Sequence, residues 1–142
     1  MAQALEQANR DGGNVFIPAF ALGRSQEILY YLALLHHQGR LKQRMIFLDS
    51  PMAISITNIY NDYLHCLDQK DLAAIGFKNG MQLQDLLPML RLTESVEESM
   101  AINRVSGGAI VIAGSGMCNG GRIKHHFKHN LWRKNCKTCR VN

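Results

Sequence analysis

The chain runs out of acidic side chains early: all eleven Asp and Glu of its 142 residues precede position 99. It has one Trp, three Pro and four Cys. Four cysteines are too few for a disulfide scaffold. Cys136 and Cys139 make a single C-x-x-C near the C-terminus, and a zinc ribbon needs a second pair that this sequence does not contain. A redox C-x-x-C should follow a strand and open a helix, whereas this one is expected in a tail. No apolar run approaches the roughly 18 residues of a membrane span. The opening MAQALEQANRDGG has no basic segment leading into an apolar one, so no secretory signal is expected. The default expectations are a cytoplasmic location and no membrane partner.

What is present describes a folded domain. The sequence is 46% apolar and 19% charged, the balance of a globular chain long enough for one domain. The net charge of +5 is unevenly placed. Seven of the sixteen Lys and Arg fall from Arg122 onward with no acid among them. The preceding residues hold nine against all eleven acids. This asymmetry fits either an anionic partner, nucleic acid being the commonest, or a solvated tail that binds nothing.

Apolar periodicity alternates between two kinds of element. Residues 2–10 predict a helix stopped by Asp11-Gly12-Gly13. Asn14–Pro18 predicts a buried strand, and residues 26–38 a helix with Ser25 as its cap and Gly39 as its end. Met45–Leu48 predicts a second strand. Ser50 and Pro51 open a helix reaching about His65, while residues 66–88 are mixed. Met89–Leu92 predicts a third strand, followed by a helix capped at Thr93 or Ser95 with Glu97 and Glu98 in its first turns. Ala109–Ala113 is the most strand-like run, and a last helix spans Gly121 to about Trp132. The expected fold class is α/β, a mainly parallel sheet flanked by helices over residues 1–132, with 133–142 a basic C-terminal tail.

Ligands of such sheets gather where strand carboxyl ends lead into helices. Three loops stand there: Ala19–Ser25, Asp49–Ala53 and Gly114–Arg122. The third, GSGMCNGGR, offers backbone N–H groups to an anion at a helix start. Gly116 and Gly121 are spaced as in a P-loop, but Arg122-Ile123 stand where Lys and Ser/Thr are required. Gly114, Gly116 and Gly120 make a G-x-G-x-x-x-G, one residue longer than the dinucleotide fingerprint. Arg122 sits just inside a helix N-terminus, a poor place for a cation unless it reaches a phosphate or a carboxylate. Glu94, Glu97 and Asp49 are the candidate carboxylates, so phosphate contact and salt bridge both stand. Asp49 opens the second loop at the end of a strand, as a functional carboxylate or as an acceptor for loop N–H groups. His125 and His129 lie one helical turn apart, but no third ligand accompanies them.

Taken together, IPAFALGRSQEILYYL, FLDSPMA and AGSGMCNGGRIKHHFKHNLW resemble the β-CASP region of metallo-β-lactamase-fold RNA-processing nucleases. That group includes the cleavage subunit of mRNA 3′-end processing and its bacterial and archaeal relatives. The Ser95–Ser99 and Ala101–Asn103 stretch fits between the motifs, and the likeness runs from about Ala2 to Trp132. It implies a β-CASP domain that caps a lactamase domain, with RNA entering between them. It also implies two zinc ions, held by that other domain through H-x-H-x-D-H, that activate water. This sequence has no such motif: neither His36-His37 nor His125-His126 is followed by Asp-His. The family's upstream acid and two downstream histidines have no match either. The expectation is a truncated relative that supplies RNA contacts, holds no metal ligand or catalytic residue, and is inactive alone. Arg24, Ser50, Ser115, Gly116, Gly120, Gly121 and Arg122 are the candidate phosphate-binding residues. RNA is the expected partner, with a homodimer allowed because an uncovered sheet edge invites self-association. A stand-alone nucleic-acid- or partner-binding module is the alternative.

Overall fold

Four apolar runs become the strands β1 (Val15–Pro18), β2 (Met45–Asp49), β3 (Leu90–Leu92) and β4 (Ala109–Ala113). All pair in parallel, in the order β3-β2-β4-β1-β5, and β5 is Lys137–Thr138. The computed structural model describes residues 1–140. The helices are α1 (Ala2–Asp11), α2 (Arg24–His37), α3 (Pro51–Tyr63), α4 (Gln69–Ala74), α5 (Leu83–Leu86), α6 (Val96–Ile102) and α7 (Gly121–Asn130). None among the described residues is long and apolar enough to cross a membrane.

The strand order explains why there are two helical layers. From β1 through β2 to β3 the chain moves toward one edge of the sheet; from β3 through β4 to β5 it returns. Right-handed crossovers place helices on opposite faces for opposite directions of travel. The core divides accordingly. Ile17, Ile46, Leu48, Ile110 and Ile112 pack with Leu5, Leu29, Leu32 and Ile54 on the α1–α3 face. Phe16, Phe47 and Val111 pack with Ile102 and Ile123 on the α6–α7 face. Side chains alternate across a strand, so Asp49, two residues after Phe47, belongs to the α6–α7 face.

Several boundaries differ from the sequence expectations, for identifiable reasons. Helix α2 begins at Arg24 rather than after Ser25, because the Gln26 side chain accepts from Gly23 N at 2.8 Å. Ser25 is buried in the first turn and donates to Phe20 O at 2.7 Å. Ser95, not Thr93, caps α6, in a reciprocal pair with Glu98. The segment 66–88 holds two short helices after a 3-10 turn at Leu64–Cys66.

The expected tail is the largest correction. Lys137 N donates to Asn14 O at 2.8 Å and Cys139 N to Phe16 O at 3.0 Å, which extends the sheet beyond β1. Lys137 Nζ also pairs with Asp11 at 2.9 Å. The polar pair Lys137-Thr138 gives no apolar signal; it is a strand because β1 presents it an edge to fill. Cys136 joins the α6–α7 cluster and Cys139 the opposite one. Three residues apart across a strand, the two thiols point to different faces.

Candidate functional site

Asp49 lies at the carboxyl end of β2 with no exposed surface. Four side chains converge on it. On Oδ1, Arg122 Nη1 and Thr93 Oγ1 each donate at 2.8 Å. On Oδ2, His126 Nε2 and Ser99 Oγ each donate at 2.6 Å. The donors come from the residue after β3, from α6 and from α7, so one carboxylate ties together every element around this end of the α6–α7 face. Burial pushes the Asp49 carboxyl up, but the hydrogen bonds from His126, Ser99, Thr93 and Arg122 outweigh it and hold the group below the usual carboxylate range. The site is a saturated anion: donors fill the acceptor positions of both oxygens.

Arg122 is committed within the protein. Besides Asp49, its guanidinium donates to Thr93 O at 3.0 Å and Glu94 O at 2.5 Å. Of the two readings open for this residue, the structure makes the salt bridge, and to Asp49 rather than Glu94 or Glu97. His126 follows Arg122 by four residues and Asn130 follows by four more, forming one inward stripe of α7. Asn130 Nδ2 donates to Asn103 Oδ1 at 3.0 Å, and His126 Nδ1 lies 3.4 Å from the same oxygen. The His126 ring stacks on Phe16 with centroids 6.0 Å apart. His126 is not among the expected site residues, because the histidines of this helix read first as a possible metal pair. Its i,i+4 relation to Arg122 was the available signal. His125 and His129 face solvent.

The glycine loop rests on this hub. Ile123 N donates to Gly114 O at 2.9 Å and Ser115 N to Gly120 O at 3.1 Å, closing Gly114–Gly120 over the start of α7. Gly121 has φ +71°, and a Cβ there would stand 2.3 Å from Gly114 O, so the turn needs glycine. A Cβ on Gly116 would come within 2.8 Å of the Phe20 ring, which lies over the loop. Ser115 Oγ donates to Asn119 Oδ1 at 2.8 Å. Gly120 occupies the N-cap of α7 without a side-chain cap, leaving the helix start to its backbone.

The other expected site residues stand at the ends of neighbouring strands. Ser50 caps α3, accepting from Ala53 N at 3.2 Å. Arg24 opens α2 and pairs with Glu27 at 2.8 Å on a partly exposed surface. Around them Phe20, Leu22, Met52 and Met117 are exposed apolar side chains. Phe20 and Leu22 follow β1, Met52 lies in the first turn of α3 after β2, and Met117 follows β4, so the carboxyl edge of the sheet carries an apolar rim.

The four donors around Asp49 leave no open position on that carboxylate for a metal ion. Asp49 is saturated by protein donors, His126 is buried against it, and Cys136 and Cys139 are on opposite faces. Among the described residues no three His, Cys, Asp or Glu group as metal ligands.

The Beta-Casp domain model matches residues 25–139, most of the chain and past the expected boundary at Trp132. The chain belongs to the Beta-Casp family. It is 41% identical over 130 residues, 91% of its length, to Ribonuclease TTHA0252 of Thermus thermophilus. It is 27% identical over 128 residues to an RNase J-like protein of Methanocaldococcus jannaschii, and 32% identical over 119 residues to the transcription termination factor FttA of Methanosarcina mazei. These alignments take in 90% and 82% of this chain respectively. It spans only 29%, 28% and 18% of those three relatives' lengths. The Beta-Casp match joins Arg24's helix, the Asp49 hub, the glycine loop and β5 in one domain.

Proposed function

We propose that this chain is the β-CASP part of a zinc-dependent RNA-processing hydrolase, that it holds RNA by its phosphates, and that its 142 residues alone do not cleave RNA. The observation that carries this reading is the Beta-Casp match over residues 25–139, together with relatives named as ribonucleases. The geometry supports it in three ways. The loop Gly114–Gly120 and the uncapped start of α7 offer backbone donors at the carboxyl edge of a parallel sheet, where anions bind. Arg24 stands at the same edge in a surface ion pair of small net worth, free to exchange Glu27 for a phosphate. The rim of Phe20, Leu22, Met52 and Met117 is the kind of surface that a larger assembly covers. Water activation by zinc would require ligands other than those this chain carries.

In this reading Arg122 positions rather than binds. Its bonds to Asp49, Thr93 O and Glu94 O seat α7 so that the loop backbone faces outward. Ser50 likewise shapes its turn as a helix cap. The contacts fix RNA by its backbone, without reading bases. Anisotropy of a labelled single-stranded RNA tests this. Affinity should fall steeply with salt, and Arg24→Ala should lower the log–log salt slope by about one. Binding indifferent to salt, or none at low salt, would overturn the reading.

A further inference from the structure

Helix α7 has a second face that the hub does not use. Arg122, Ile123, His126 and Asn130 point inward, whereas Lys124, His125, Lys128 and His129 are exposed. Lys124 and Lys128 stand one turn apart on one stripe of α7, about 6 Å apart along the axis, and Trp132 follows in the turn just past the helix end at Asn130. Trp132 is 73% exposed. Its Nε1 donates to His129 O at 2.8 Å, which pins the indole to the end of the helix. The Arg133 guanidinium carbon lies 5.4 Å from the ring centroid and covers one side.

The charges here are unneutralised. Arg122 is paired with Asp49 and Lys137 with Asp11. Among the described residues Lys124, Lys128, Arg133 and Lys134 form no ion pair. No acid follows Glu98 in the sequence. A fixed indole open to solvent, beside a row of free cations, calls for a partner that brings both a flat π-face and negative charge. Unpaired nucleotides bring both: a base stacks on the ring and its phosphates meet the lysines. A duplex hides its base faces and fits less well.

We propose that the outer face of α7 and the turn that follows it, with Lys124, Lys128, Trp132 and Arg133, form a second contact for single-stranded RNA, separate from the loops at the carboxyl edge. The proposal rests on the reading of this chain as an RNA-binding domain and adds where a strand lies on it.

Trp132 is the only Trp in the sequence, so indole fluorescence reports this place alone. The chain is titrated with a short oligouridylate while indole emission is followed, and anisotropy of the same labelled RNA is measured in parallel. Emission should be quenched along the binding curve. Trp132→Ala should weaken affinity about tenfold, the loss of one stacked base, and Trp132→Phe should restore most of it. Lys124→Ala with Lys128→Ala should lower the salt slope by about two. These side chains are exposed, and an unchanged thermal melt confirms that the variants fold. If anisotropy reports binding while emission stays constant and Trp132→Ala binds as tightly as the parent, this surface is not a contact, although the RNA reading stands. If polyglutamate quenches the indole as strongly as the RNA does, the face is selective for acidic chains in general and the proposal fails. If no RNA binds at low salt, both readings fail together.

Discussion

Arg122 and Asp49 are 73 positions apart in the chain and 2.8 Å apart in space, and their ion pair fixes how α7 meets the sheet. Asp49 ends β2, and Arg122 lies in the first turn of the helix that follows β4, its neighbouring strand. The pair therefore anchors the helix start against which the glycine loop closes. His126, one turn further along α7, reaches the other carboxylate oxygen, so the helix is held at two points.

Replacing Asp49 by Ala should cost about 3–5 kcal/mol, since it leaves the buried side of Arg122 and His126 without their acceptor. Urea unfolding measures it. A change below about 1 kcal/mol would mean that the hub holds little of the fold together.

The pH dependence has a definite sign. Asp49 is held below the usual range in the folded chain, so the unfolded chain binds its proton more readily. Its contribution is present above the ordinary Asp value of about 3.9 and is lost as pH falls through the lower folded value. The stability gap between the parent and Asp49→Asn should be full at neutral pH and close below about pH 4. A gap that widens on acidification would contradict the assignment.

Two adjacent glycines should answer differently. Gly121→Ala forces a Cβ to 2.3 Å from Gly114 O at a positive φ, and about 1–3 kcal/mol or more is expected. A Cβ on Gly120 meets nothing within 4 Å, so Gly120→Ala should stay within about 0.5 kcal/mol. Thermal melts of the two variants decide it; equal effects would place the loop differently.

Removal of the chain from Lys137 onward should destabilise the protein and promote self-association, because it uncovers the edge of β1. Size-exclusion chromatography and a thermal melt test this. A monomer of unchanged stability would return the segment to the status of a tail. The same deletion would confuse any RNA measurement with unfolding, so charge substitutions at exposed Lys134 are the cleaner probe.

The fold was largely legible because four strands announce themselves as short apolar runs and their helices by period and cap. β5 was not, being two polar residues whose pairing comes wholly from β1. In the site, alternation along β2 already set Asp49 on the face of Phe47, but ending the strand at Leu48 made Asp49 look like a turn residue. The i,i+4 step from Arg122 to His126 was equally visible. The convergence of Thr93 and Ser99 on the same carboxylate was not, since it depends on β3 lying beside β2. The C-x-x-C carried its own answer in its odd spacing, once a strand was known to run between its cysteines.

In the function proposed above, this chain holds RNA and leaves the bond-breaking to ligands it does not carry. The most direct test is to incubate the purified 142-residue chain with labelled single-stranded RNA and added zinc, following complex formation and strand length together. A salt-sensitive complex and intact RNA are expected. Zinc-dependent cleavage that copurifies with the chain and disappears in His126→Ala would contradict it.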